Sequence, residues 1–372
     1  MKIAINLLPY ASYQGIEIYT ANLITALAKE FPGDKFVLIK SPSSPAFFDI
    51  QAPNVSEYMV PISASRKSRL ALAQQLSMRR AIKETGADML FCTSPAAPYF
   101  IKNKVVTIHD CAYDRFPEFA NLPSKWYFKS MFYAAKYFSR GVITVSAFSK
   151  HELVDLYGFS PDRVHAVHSA LPELPAVTDE LRAAMRAKFG VERERYFFYV
   201  GNTRPRKNLL GLLKAFAQSS VRNEYRLVLA GKIDTRFLDV AREVEGLGLG
   251  DRVVQAGFVT DEEKVALYKD AAALAFPSLY EGFGFPVLEA QSLGVPVITS
   301  NTSSLPEVGG EGAALYVDPH DTSAIARAME TVVTDAPLRA SLVAAGRENV
   351  KRFSWDKAAR ETMAVLREAA GK

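Results

Sequence analysis

Two carboxylates eight positions apart, Glu281 and Glu289, bracket the densest chemical signal in the chain, SLYEGFGFPVLEAQSLGVPVITS from Ser278 to Ser300. An apolar run ends at Pro277, the glycine-bearing loop EGFG follows, and Pro286 stands where a helix starts, because proline's fixed φ suits the first helical turn. Such a loop presents backbone N–H groups and the positive end of a helix dipole, which makes it an anion site. Glu281 falls in the loop and Glu289 about one turn into the helix. One carboxylate can then meet a sugar hydroxyl and the other a ribose diol. Two ordinary surface acids would give the same spelling, since negative charge is stabilising near a helix N-terminus. A second segment weighs against that bland alternative. YVGNTRPRKNLLGLLKAF, Tyr199 to Phe216, reads as another strand, glycine turn and helix, with Arg204, Arg206 and Lys207 at the helix start. Cations sit badly against the positive helix end unless an anion is bound nearby. A lysine and arginines beside backbone amides suit a diphosphate, whose oxygens accept several charge-assisted hydrogen bonds.

Strand ends must hold these groups, and the pattern supplies them. Short apolar, β-branched runs alternate with longer helical patterns, the signature of βαβ units around parallel sheets. A first series has strands near Ile3, Phe36, Asp88, Lys104, Gly141 and Val164, with a helix over Glu17 to Lys29. LPELPAVTDE, Leu171 to Glu180, has two prolines and no strong periodicity and reads as a linker. A second series follows, with strands near Tyr196, Tyr225, Arg252, Ala273, Val295 and Ala314, and helices over Asp261 to Asp270 and Asp321 to Thr334. The expected division is residues 1–175 and 185–352 as two α/β, Rossmann-like, doubly wound domains, with helix 353–372 packing back across the linker. Open sheets of this kind bind ligands at the carboxyl ends of their strands, so the expected site lies in a cleft between the halves.

Length and composition agree with an enzyme-sized protein. The chain has 372 residues, 49% hydrophobic and 23% charged, which excludes a disordered tail, a collagen or a disulfide scaffold. Its net charge of +5 suits anionic ligands or an anionic membrane surface, whereas nucleic acid binding needs more concentrated charge. Cys92 and Cys111 have neither disulfide-framework nor zinc spacing, so the expected compartment is the cytoplasm. MKIAINLLPY is too short an apolar stretch for a signal peptide, and no window approaches the length of a membrane span.

On these residues the chain resembles the retaining glycosyltransferases of family 4, with the two-Rossmann architecture called GT-B. The resemblance covers essentially the whole chain, and its most specific element is the E-x7-E motif from Glu281 to Glu289, supported by PRKN from Pro205 to Asn208. It implies that Lys207 contacts the donor diphosphate, Glu289 the nucleotide ribose and Glu281 the donor sugar hydroxyls, with the amides of Gly282, Phe283 and Gly284 lining sugar and phosphate. SYQGIEIYTANLITAL resembles the family's glycine loop after the first strand, where the Gly15 amide meets phosphate; many members have a second glycine where this chain has Gln14. TIHD, Thr107 to Asp110, resembles the strand end that brings a histidine, here His109, to the transferred sugar. TVSAFSK, Thr144 to Lys150, offers Ser146 or Ser149 as helix caps and no catalytic role. One departure matters: the family often has arginine directly after the glycine of the Tyr199 strand, and this chain has Asn202 there. Arg206, ahead of Arg204, is expected to supply that charge.

The nucleobase is read from GFVTDEEKVALY, Gly257 to Tyr268. Val259 can pack on a purine edge, Asp261 can accept from the two donors of guanine, and Lys264 can reach its carbonyl, an arrangement resembling the family's GDP-mannose users. The alternative makes Asp261 a helix N-cap and leaves Lys264 on a solvated face. The expected reaction is retaining transfer of a hexosyl unit, mannose from GDP-mannose, to a glycan or polyprenyl-diphosphate-linked acceptor in surface polysaccharide synthesis. No cofactor or metal is implied: there is no D-x-D, and Asp110 and Asp114 stand four apart. In the family the leaving phosphate itself takes the acceptor proton. Competing readings are a UDP-sugar donor, an epimerase or hydrolase of the same architecture, and a non-catalytic sugar-binding module. A dehydrogenase is disfavoured, since no G-x-G-x-x-G follows a first strand in either half.

Two further segments bear on location. Between Ala64 and Lys83 lie Arg66, Lys67, Arg69, Arg79, Arg80 and Lys83 with no acid among them. A basic helix of this kind can lie on an anionic leaflet, or can be a core helix with snorkelling cations. The aromatic run WYFKSMFYAAKYF, Trp126 to Phe138, can face lipid, though burial in the N-terminal core is the expectation. The protein is thus expected in the cytoplasm, peripheral on the inner face of the cell membrane.

Overall fold

The computed structural model describes residues 1–9, 15–61, 67–117 and 122–371. The chain divides into two compact units, Met1–Pro172 with Phe353–Lys372, and Glu173–Arg352. The first unit carries β1 (Lys2–Asn6), α1 (Gly15–Glu30), β2 (Lys35–Lys40), β3 (Val55–Met59), α2 (Lys67–Thr85), β4 (Met89–Cys92) and β5 (Lys104–Thr107). It continues with α3 (Ala112–Arg115), α4 (Leu122–Phe138), β6 (Gly141–Thr144), α5 (Ala147–Tyr157) and β7 (Val164–Ala166). Among the described residues its strands form one parallel sheet in the order β3-β2-β1-β4-β5-β6-β7. β4, β5 and β6 are buried at every position, as strands covered by helices on both faces must be. The sequence pattern missed β3, VSEYM, because Ser56 and Glu57 are exposed and interrupt the apolar signal. It is an edge strand, and a charged edge resists pairing with other chains.

The second unit carries α6 (Asp179–Phe189), β8 (Tyr196–Val200), α7 (Leu209–Gln218), β9 (Arg226–Ala230), α8 (Val240–Gly246), β10 (Val253–Gly257) and α9 (Asp261–Lys269). It continues with β11 (Ala273–Phe276), α10 (Phe285–Ser292), β12 (Val297–Ser300), α11 (Leu305–Gly309), β13 (Leu315–Val317), α12 (Thr322–Thr334) and α13 (Ala336–Val350). The described strands form a parallel sheet in the order β10-β9-β8-β11-β12-β13. Two helix limits differ from the sequence reading. Asp270 lies beyond α9, buried and gripped by Arg182 and Arg186 of α6. Asp321 precedes α12 as its cap, accepting from the Ala324 N–H at 2.9 Å.

The last helix, α14 (Trp355–Gly371), belongs to the first unit and packs along α1. Trp355 Nε1 donates to the Leu171 carbonyl at 2.8 Å, and Arg140 Nη1 donates to the Ala369 carbonyl at 2.9 Å. Its apolar positions Ala358, Ala359, Met363 and Leu366 recur at helical spacing and are buried, which explains why this helix was legible in the sequence.

The carboxyl ends of β8, β9 and β10 meet at two glycines. Gly201 N–H donates to the Ala230 carbonyl at 2.9 Å and Gly231 N–H to that of Gly257 at 2.7 Å. Gly231 adopts φ +124°, and a Cβ there would fall 2.0 Å from the Gly201 oxygen. Gly231→Ala is therefore expected to lower stability by at least about 2 kcal/mol, from backbone strain and forced separation of the two turns. Denaturant unfolding checks this, and an unchanged midpoint would refute the close approach.

Candidate functional site

β8 and β11 lie side by side where the strand order of the second sheet reverses, and the segments leaving them bring Arg206, Lys207 and Glu281 together. After β8 the chain makes one tight turn, Pro205–Lys207, ended by Asn208 in the left-handed conformation at φ 55°, which asparagine tolerates. Asn208 Nδ2 donates to the carbonyls of Pro277 and Pro319, at 3.0 and 2.7 Å. Leu279 N–H donates to the Arg206 carbonyl at 2.7 Å, and Ser278 Oγ lies 2.8 Å from the same oxygen. The PRKN spelling thus has two jobs: its cations face a carboxylate while its asparagine pins the turn to the neighbouring loop.

Glu281 is the buried centre of this arrangement. Its carboxylate accepts from Lys207 Nζ at 2.6 Å, Ser278 Oγ at 2.7 Å and Arg206 Nη1 at 3.0 Å. Lys207 Nζ also stands 5.0 Å from the centroid of the Phe276 ring, a cation–π contact. Burial alone would raise the Glu281 pKa; the Lys207 and Arg206 cations outweigh it and hold the carboxyl below its ordinary value. Lys207 and Arg206 both face this one carboxylate, and cations so placed at a strand end suit an anionic ligand. Arg204 is exposed, so Arg206 is the arginine that meets Glu281.

The loop Gly282, Phe283, Gly284 leads into α10, with Gly284 at φ 111° as its N-cap and Pro286 in the first turn. Ser304 Oγ lies within hydrogen-bond distance of the Glu281 and Phe283 carbonyls, at 2.9 and 2.8 Å, and Ser303 Oγ accepts from the Glu281 N–H at 3.2 Å. Glu289, about one turn into α10, is fixed by two donors from α9: Lys264 Nζ at 3.0 Å on Oε1 and the Tyr268 hydroxyl at 3.0 Å on Oε2. Lys264 Nζ also stands 3.1 Å from Asp261 Oδ1. Burial would lower the Lys264 pKa, but the carboxylates of Glu289 and Asp261 outweigh it and raise it. Burial, reinforced by Glu289, pushes the Tyr268 pKa well above its usual value, so this hydroxyl stays a donor.

Two alternatives fall here. Asp261 does not cap α9: Thr260 does, accepting from Glu263 N–H at 3.2 Å while Glu263 Oε2 accepts from Thr260 N–H at 3.0 Å. Lys264 is not on a solvated face, since Glu289 holds it. Val259 is half-buried against the core of this unit. The sequence reading missed Tyr268, Ser278, Asn208 and Ser304 as supports. Tyr268 lies one helical turn beyond Lys264, so α9 spacing alone puts both on one face, and Asn208 stood unassigned inside PRKN.

In the first unit, Gly15 is the exposed first residue of α1, and Gln14 lies outside the described residues. His109 follows β5 with Nε2 2.9 Å from the Thr93 carbonyl and its ring edge-on to Tyr19 at 4.8 Å. Burial lowers its pKa, so the ring is neutral near pH 7. A carbonyl only accepts, so Nε2 carries the proton and Nδ1 is the acceptor nitrogen. Ser146 caps α5 through the Ser149 N–H at 3.1 Å, and Ser149 Oγ donates to the His109 carbonyl at 3.0 Å. Among the described residues, no three His, Cys, Asp or Glu side chains gather as a metal site requires.

Comparison with known proteins agrees with this geometry. Residues 182–349 match the family model "Glycosyl transferases group 1", and residues 13–172 match "Glycosyltransferase Family 4". The chain is 32% identical over 274 residues to the O-antigen chain mannosyltransferase B of Escherichia coli, covering 72% of this chain and 70% of that protein. It is 33% identical over 221 residues to the serotype-specific mannosyltransferase WbdA of Escherichia coli, covering 58% of this chain but only 27% of that longer protein. Among solved structures, Anabaena Alr3699/HepE in complex with UDP and glucose shares the fold at a TM-score of 0.75 and 17% identity, over 99% of this chain and 100% of that one.

Removing Lys207 leaves the buried Glu281 carboxylate with Arg206 as its remaining ion-pair partner among those seen here, a costly loss for a buried charge. Lys207→Met is expected to cost about 3 kcal/mol of stability at pH 7. The stabilisation from a carboxylate of lowered pKa is present above its unfolded value, about 4.3, and is lost as pH falls through the folded pKa. The gap between the parent protein and the variant should therefore narrow in acid. Denaturant unfolding from pH 7 to about 3 checks this; a gap independent of pH would mean that Lys207 acts by packing alone.

Proposed function

Because the chain belongs to the group 1, family 4 glycosyltransferases, we propose that it is a retaining, metal-independent mannosyltransferase. It takes mannose from GDP-mannose and passes it to a glycan or polyprenyl-diphosphate-linked acceptor in surface polysaccharide synthesis, as a cytoplasmic enzyme peripheral on the inner face of the cell membrane. The observation that carries the reading is the buried Glu281 between Lys207 and Arg206, at a strand end beside the N-terminus of α10. The mannosyltransferase names of the relatives support the choice of sugar.

In this reading the bond between the sugar anomeric carbon and the diphosphate oxygen breaks as the acceptor oxygen bonds to the same face. The acceptor proton goes to the departing phosphate. Charge grows on the diphosphate, and Lys207 and Arg206 are already in place to meet it, which is electrostatic preorganisation rather than acid–base chemistry. Glu281 accepts from a sugar hydroxyl, and the amides of Gly282, Phe283 and Gly284 line sugar and phosphate. Glu289, its orientation fixed by Tyr268 and Lys264, takes the ribose diol. Lys264 has three N–H donors, of which Glu289 and Asp261 use two, so the third serves the guanine carbonyl while Asp261 accepts from the base. Val259 packs on the purine edge. Gly15 and His109 keep the roles the resemblance gives them, the former toward phosphate and the latter as a neutral acceptor toward the transferred sugar. A UDP-sugar donor is the second reading, favoured by the UDP-bound structure of similar fold.

Incubation with GDP-mannose and lipid-linked glycans, followed by NMR of the product anomeric configuration, tests the proposal directly. Retained α-mannosyl product formed in the presence of chelator is expected. Sugar release or epimerisation without an acceptor, or no turnover with any donor, would refute it. Glu281→Ala is expected to lower kcat at least about 100-fold, far more than it weakens GDP binding, since Lys207 and Arg206 remain to meet the diphosphate. A melting-temperature screen with GDP, UDP and ADP separates the bases, because only a ligand that binds the native state raises Tm.

A further inference from the structure

α4 buries one side and leaves an aromatic side uncovered. Met131, Phe132 and Ala135 enter the core of the first unit, whereas Trp126, Tyr133 and Tyr137, at i, i+7 and i+11, are 72%, 46% and 65% exposed. Lys129 and Ser130 lie on the same side, and Tyr127 borders it. The aromatic run is therefore only half accounted for by the core, which corrects the expectation of burial. On α2 the described side chains Leu76, Arg79, Arg80 and Lys83, at i, i+3, i+4 and i+7, form an exposed stripe, while Met78 and Ala81 are buried. Of the basic run read from the sequence, Arg66 lies outside the described residues.

The two stripes belong to one surface. The crossovers β3 to β4 and β5 to β6 advance in the same direction across the sheet, so right-handed connections put α2 and α4 on the same face. The segment carrying Tyr99 and Phe100 bridges them: Tyr99 N–H donates to Gln75 Oε1 at 2.7 Å, its hydroxyl stands 2.9 Å from Ser130 Oγ, and the exposed Phe100 ring lies 5.5 Å from that of Phe138. From beneath, the buried Lys104 ammonium holds this segment through the Pro98 and Tyr99 carbonyls, at 2.7 and 2.9 Å.

We propose that this face of α2 and α4 docks onto an anionic lipid bilayer, with Trp126, Tyr133, Tyr137, Phe100 and Leu76 at the headgroup level and Arg79, Arg80, Lys83 and Lys129 on lipid phosphates. Charge and chemistry select that occupant. α4 contains no acidic residue, and the one on α2, Glu84, is already taken by Arg80 at 2.6 Å and by the Tyr58 hydroxyl at 2.5 Å. Exposed surfaces that meet only water mix both signs of charge, and the cores of protein interfaces are poor in lysine. Trp and Tyr, apolar bodies with one polar tip, are the residues favoured at a bilayer boundary, and cations beside them gain from the surface potential. No helix among the described residues is long and apolar enough to cross a membrane, so contact of this kind is interfacial. The proposal names the surface behind the peripheral placement given above but needs neither donor nor transfer chemistry, so it stands or falls separately from them.

The chain has two tryptophans, so Trp355→Phe leaves Trp126 as the single fluorescent reporter. Vesicles of phosphatidylglycerol mixed with phosphatidylcholine should shift its emission to the blue, and bromine-labelled acyl chains should quench it. In flotation, the unmodified full chain should bind these vesicles at least tenfold more strongly than pure phosphatidylcholine, and lose that preference in high salt. Trp126→Ser with Tyr133→Ser and Tyr137→Ser, and separately Arg79→Glu with Arg80→Glu and Lys83→Glu, should each lower binding at least tenfold with melting temperature and GDP binding retained. The proposal is overturned by flotation that is absent or insensitive to lipid charge, or by triple variants that bind normally. It is equally overturned if the same substitutions instead dissolve a dimer seen in sedimentation, or abolish binding to a single-stranded oligonucleotide, in a protein that ignores vesicles.

Discussion

A carboxylate taken out of water is costly, and Glu281 is tolerated only because Lys207 and Arg206 meet it on two sides and Ser278 takes a further lone pair. That interaction fixes much else. It ties the turn after β8 to the loop after β11, two segments more than seventy residues apart in sequence that parallel-sheet topology makes neighbours. A buried charged cluster at a strand end of an open parallel sheet stands where such folds bind ligands.

The surroundings keep this cluster rigid. Asn208, Ser278 and Ser304 lie within hydrogen-bond distance of backbone carbonyls of the two loops, so the charged side chains rest on segments that are themselves pinned. The Glu289 cluster repeats the plan one helix further on, with a hydroxyl and an ammonium from α9 each fixing one carboxylate oxygen. Both acids of the motif therefore have preset orientations.

Much of this was legible because the candidate site residues sit beside the punctuation that positions them. PRKN and EGFGFPVLE mark strand end, turn and helix start in a few letters, and Pro286 and Gly284 take the positions their backbone preferences dictate. What could not be read was pairing across the fold. That Lys207 and Arg206 close on Glu281 follows from strand order, which no local pattern encodes. Thr260, not Asp261, caps α9, because a capping box needs the acid three residues on, and Glu263 satisfies it for Thr260. β3 was invisible because an exposed edge strand does not need an apolar run, and the aromatic run of α4 told its composition but not how much of it the core would take.

The central claim is the proposal that Lys207 and Arg206, held against Glu281, grip a pyrophosphate. Calorimetric titration of GDP and of guanosine into the parent protein and into Lys207→Met tests it most directly. The account predicts that GDP affinity falls at least tenfold in the variant while guanosine binds both proteins equally. Equal GDP affinity in the two proteins would contradict it.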